Sequence, residues 1–125
     1  MLKDVYLNTV FKCNEELPNQ FVIISAYNPL GRLAPTARNL HQDATLKSML
    51  DSQGYESWRI IGQSQDAQHQ EPSWAVNVSL AEGKRIAKIF RQDAIYLVQD
   101  NLLVVHDCDS DASQSLGDFN SRLLK

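Results

Sequence analysis

The sequence predicts an α+β fold: a ferredoxin-like two-layer sandwich (βαββαβ) with an extra N-terminal helix and a fifth, hairpin-paired edge strand. Three observations carry this. The run Phe21-Val22-Ile23-Ile24 is apolar on both faces, as a central strand is. Two helical patterns each stand between strand-like segments, giving two strand-helix-strand halves. Asp100-Asn101 then separates two apolar segments and suits a two-residue hairpin, since both residues tolerate left-handed backbone angles.

Taken in order, Leu2, Val5, Tyr6, Thr9 and Val10 fall on one helical face and predict a helix over Leu2 to Lys12. Phe21 to Tyr27 is the first strand, stopped by Asn28-Pro29 because proline cannot donate to a ladder. A helix is expected from Asn39, whose side chain caps it with Gln42 at the third position; Leu46, Met49 and Leu50 face the core and Gly54 ends it. Trp58 to Gly62 is the second strand, and the polar stretch Gln63 to Pro72 is a long loop. Trp74, Val76 and Val78 alternate with Ala75 and Asn77 as a half-covered third strand. Ser79-Leu-Ala-Glu82 is a capping box before a helix carrying Ile86, Ile89 and Phe90. Ala94 to Gln99 and Leu102 to His106 complete the strands. The domain is expected to span 1–107, with 108–125 an acidic, mobile tail bearing at most a weak helical turn.

Composition narrows the function. A chain of 125 residues, 43% hydrophobic and 22% charged, forms one domain that buries about two-thirds of its unfolded surface. The formal net charge of -3 argues against a general nucleic-acid binder or an anionic-membrane binder. Cys13 and Cys108 lack zinc-ligand or C-x-x-C spacing and read as free thiols in a reducing cytosol. No stretch has the length and apolarity of a membrane span or a signal peptide, so a cytoplasmic location is expected.

The topology gathers the loops 28–38, 63–73 and 91–93 at one rim of the sheet. The candidate ligand-binding residues there are Asn28, Arg32, Asn39, Glu71, Ser73 and Gln92. Arg32 and Arg38 flank a helix start, where free amides favour a carboxylate or phosphate, so an anionic small molecule is the expected ligand. The competing account pairs Arg32 with Glu71 across the rim, and makes Asn28 and Asn39 turn formers and caps. Catalytic residues are not identified; Glu71, with Ser73 and His69 near it, is an acid/base candidate without a visible nucleophile. Three solvent-exposed side chains describe His41, His69 and Glu71 better than a metal site does, and no cofactor is implied. Asp107 to Asp118 matches a calcium loop only in part, with Ala112 where glycine is needed. Lys84, Lys88 and Arg91 form a solvated basic stripe. Two alternatives stay open beside the binding module: a homodimer joined at a sheet edge with a structural rim, and an enzyme using Glu71.

"SAYNPLGR", "EPSW" and "AKIFRQDAIYLV" resemble a bacterial family of short proteins known only as a domain of unknown function, DUF3293. Its members show an Asn-Pro-x-Gly-Arg-like turn, a Glu-x-Ser segment and a Phe-Gly-Gln-x-Ala-like junction. Here Arg91 stands where glycine is more usual, which speaks against a tight backbone turn at that point. The resemblance covers Tyr6 to Val105 and implies no activity.

Overall fold

A computed structural model describes residues 3–124. The chain forms α1 (Asp4–Leu7), β1 (Val10–Lys12), β2 (Gln20–Ser25), a tight turn at Pro29–Gly31, α2 (Thr36–Ser52), β3 (Ser57–Gln63) and β4 (Gln70–Val76). It continues with α3 (Leu80–Ile89), β5 (Ala94–Gln99), β6 (Leu102–Asp107), β7 (Ser113–Asp118), a second tight turn at Asn120–Arg122 and β8 (Leu123–Leu124). All eight strands join one sheet in the order β7-β6-β5-β2-β4-β3-β1-β8. Every pairing is antiparallel except β1 with β8.

The five-stranded, ferredoxin-like two-layer sandwich is therefore corrected to one eight-stranded mixed sheet that curls. On a flat sheet, β1 and β5 would lie roughly 19 Å apart, four strand spacings. The rings of Phe11 on β1 and Tyr96 on β5 nevertheless stand 5.2 Å apart. Phe119, just after β7, bridges the same space at 5.6 Å from Phe11 and 5.4 Å from Phe21. The extra strands come from both ends of the chain and roll the sheet into a trough.

Strand alternation divides the core accordingly. Val22 and Ile24 point toward α2 and α3 and pack on Leu46, Leu50 and Ile86. Phe21 and Ile23 point into the trough with Phe11, Ile60, Ala75 and Tyr96. Both faces of β2 are thus covered, one by helices and the other by the sheet's own curl. α3 lies close on the sheet because Gly83 sits over Val22 and Ile95, where a Cβ would come within 3.1 Å of both side chains.

Several boundaries differ from expectation. The predicted helix over Leu2 to Lys12 stops at Leu7, and Val10–Lys12 is a strand pairing with Ile61 to Gln63; Leu2 lies outside the described residues. The apolar Val10-Phe11 pair gains more by burying Phe11 completely in the trough than by extending a short helix. α2 begins at Thr36 after Pro35, and Asn39 lies inside it instead of capping it. β3 and β4 extend into the polar stretch, which shortens the connecting loop to residues 64–69. Pro72 is accommodated one residue past the last β2–β4 pair, Ser25 with Ser73, where β4 is flanked on one side only. Residues 113–118, expected in a tail, pair with β6, and Phe119 beyond them is buried.

Candidate functional site

The trough is not filled along its whole length. Toward the ends of β2 and β4 it opens into a cleft of about 800 Å³. Its floor is the concave face of the sheet. β2 contributes Ile23 and Ser25, β4 contributes Ser73 and Glu71, and β5 contributes Tyr96. Gly62 on β3 lies opposite Glu71, and the missing side chain makes room for the N-terminal segment, since a Cβ there would come within 3.3 Å of Thr9 Cγ2. The N-terminal segment from Val5 to Thr9 forms one wall and the 64–69 hairpin another. Asn28, Gly31, Leu33 and Gln92 line the remaining side.

The polar groups are held by specific partners. The Tyr96 hydroxyl donates to the Tyr6 carbonyl oxygen at 2.8 Å and lies 2.9 Å from the Thr9 hydroxyl, fastening the N-terminal wall to the floor. The Tyr27 amide donates to the Ser25 hydroxyl oxygen, and the Ser73 hydroxyl donates to the Glu71 carbonyl oxygen. Burial raises the Glu71 carboxyl above its ordinary pKa, and the Ser25 hydroxyl offsets part of that rise. Burial likewise raises both Tyr96 and Tyr6, the latter also through the negative charge of Asp93 and Glu71, so both phenols stay protonated near neutral pH. At the hairpin tip, Asp66 accepts from the Ser64 hydroxyl and the Gln68 amide, which keeps its carboxyl below the ordinary value.

Of the six residues expected at the rim, Asn28, Glu71, Ser73 and Gln92 line this cleft; Arg32 and Asn39 do not. Asn39 is buried, and its amide is reciprocally paired with Asn28. The Asn28 backbone N–H donates to Asn39 Oδ1 and Asn39 Nδ2 donates to Asn28 Oδ1, both at 2.9 Å. Asn28 Oδ1 also accepts from the Ala34 amide, so the pair closes the loop onto α2. Gln92 Nε2 donates to the carbonyl oxygens of Tyr27 and Phe90 and ties the α3–β5 junction to the end of β2. Arg32 is exposed and, among the described residues, makes no ion pair with Glu71.

The junction itself is tight despite its arginine. Arg91 has φ 57°, in the left-handed region, and its carbonyl oxygen accepts from the Leu30 amide at 2.7 Å. The expectation that arginine speaks against a tight turn here is therefore corrected; the hydrogen bond compensates for a backbone conformation glycine would adopt more easily. His69 and Glu71 line the cleft but His41 does not, and among the described residues no three His, Cys, Asp or Glu side chains are placed to hold a metal. Lys84 donates to the Ser110 carbonyl oxygen and Lys88 lies 3.8 Å from Asp109, so the basic stripe borders the acidic β6–β7 turn.

Sequence reasoning passed over Tyr6, Tyr96, Ser25 and Phe11. Strand alternation puts Ser25 and Ile23 on one face, but only the curl of the sheet reveals that β1 and β5 face each other across it. A second polar cluster, on the helix side, also went unread. The Arg59 guanidinium stacks 3.8 Å from the Trp74 ring centroid and makes two hydrogen bonds to Asp43, which also accepts from Trp74 Nε1 at 3.1 Å. It anchors α2 to β3 and β4.

These features define an α+β protein built on one curled mixed sheet, with a concave cleft as its candidate site. A family model described as "Protein of unknown function (DUF3293)" matches residues 24–95, more than half of the chain, and the chain belongs to that family. The match runs from the end of β2 to the start of β5 and includes all six residues expected at the rim. No curated protein and no solved structure matches the chain. No described helix is long and apolar enough to cross a membrane.

Proposed function

We propose that this protein is a small-molecule-binding module whose ligand enters the cleft between the N-terminal segment, the 64–69 hairpin and the 28–33 loop. The observation that carries this reading is the cleft itself, about 800 Å³ in volume, within the range of small-molecule sites. The floor sets Ile23 and Tyr96 beside Ser25, Ser73 and Glu71, a mixture that covers a guest's apolar part while orienting its polar groups. The loops around it are fastened by Asn28–Asn39 and Gln92, which favours a pre-formed site over one that must be assembled on binding. An anion held by Arg32 has little support, because Arg32 lies outside the lining. A reducing, cytosolic setting suits the two free thiols, Cys13 and Cys108.

A fragment screen by thermal shift tests the reading, run in parallel on Ser25→Phe, which places a ring on the cleft floor. Stabilising fragments are expected with the native chain and should be lost in Ser25→Phe. Stabilisers that act equally on both proteins would place the site elsewhere and overturn it.

A further inference from the structure

We propose that the cleft is selective for a cationic amine: a ligand with an ammonium or guanidinium group set against Glu71 and an apolar body lying toward Val5 and Leu33. This rests on the binding reading above and names its ligand class.

Three features of the cleft converge on that chemistry. The first is charge. Its carboxylates are Glu71 on the floor and Asp66 at the hairpin tip, and none of its lining residues is Lys or Arg. Among the described residues, Glu71 takes part in no ion pair. The groups around it are neutral in character: Ser25 on β2, Ser73 on β4, Gly62 on β3 and the phenol of Tyr6. A half-buried carboxylate without a counter-charge is costly, and a bound cation would remove that cost. An anion would instead face two negative charges.

The second feature is aromatic. Tyr6, which is partly exposed, and Tyr96 line the cleft, and the electron-rich face of such rings attracts ammonium and guanidinium groups. The third is the mouth. Val5 and Leu33 line the cleft and yet are 60% and 92% exposed, an apolar rim with nothing folded against it. A guest with a hydrocarbon portion would cover both while its charged end reached the floor.

Hexylamine, hexanol and hexanoate share a chain and differ in head group, so they isolate the charge. Their dissociation constants can be taken from the dependence of the melting temperature on ligand concentration, for the native chain and for Glu71→Gln. The amine is expected to bind about tenfold or more tightly than the alcohol, with the carboxylate weakest. In Glu71→Gln the amine's advantage should vanish. Equal binding of amine and alcohol, or tightest binding by hexanoate, overturns amine selectivity and leaves the cleft as a binding site. An amine preference that persists in Glu71→Gln also overturns it. If none of the three binds, the selectivity falls, and the binding reading falls too when the fragment screen is also empty.

Discussion

Phe11 and Tyr96 pack edge to face with their ring centroids 5.2 Å apart, although three strands separate theirs in the sheet. This contact closes the trough and supplies the aromatic part of the cleft floor. Replacing Phe11 by Ala removes a fully buried ring that also touches Phe119, and should cost about 3–5 kcal/mol in urea unfolding.

Tyr96→Phe isolates the polar half of the same contact. The Tyr6 carbonyl oxygen loses its donor, so a cost of about 1–2 kcal/mol is expected. Amide exchange should quicken in residues 5–9, which the hydroxyl fastens, while α2 stays as protected as before.

Asn39 and Arg32 should behave in opposite ways. Asn39→Ala leaves the Asn28 backbone N–H without its partner and opens the loop that closes onto α2, a loss of about 1–3 kcal/mol. Arg32→Ala should stay within about 0.5 kcal/mol of the native chain, since Arg32 is exposed. Chemical denaturation of the two variants side by side checks both.

The Glu71 carboxyl is raised above its ordinary pKa by burial, so the folded chain holds its proton to higher pH than the unfolded chain does. Its contribution to stability is therefore lost as pH rises through the folded value, above which the ionised carboxylate destabilises the fold. Glu71→Gln should raise the melting temperature at pH 7, and the difference should shrink as pH falls toward about 4, where the unfolded carboxyl also takes up its proton. A constant difference across that range would contradict this account of the site.

Burial and the neighbouring carboxylates of Asp107 and Asp109 push the Cys108 thiol up to about 11. It is also nearly inaccessible, at 3% exposure. Iodoacetamide at pH 8 should leave Cys108 unmodified in the folded protein and label it once the chain is unfolded, as peptide mass spectrometry would show.

Much of the central sheet could be read from local pattern. Phe21 to Ile24 is apolar on both sides, Ser79 and Glu82 form a capping box in which Ser79 accepts from the Glu82 amide, and Asp100-Asn101 turns with φ 49° and 70°. What escaped was long-range. Val10 to Lys12 and Ser113 to Asp118 become strands because partners are waiting in β3 and β6, and neither segment has a strong strand pattern of its own. The site suffered the same limit. Glu71, Ser73, Asn28 and Gln92 were brought together by loop order, but Tyr6, Phe11 and Tyr96, which line the same cleft, come from the N-terminal segment, β1 and β5, brought near by the curl.

The most direct test of the central claim is where a ligand lands. Hexylamine can be titrated at neutral pH into isotope-labelled protein while amide resonances are followed by NMR. The cleft account predicts saturable shifts at Gly62, Glu71, Ser73 and Gln92, with residues 44–52 of α2 unmoved. Shifts confined to α2 and α3, leaving Gly62 and Glu71 in place at saturation, would contradict it.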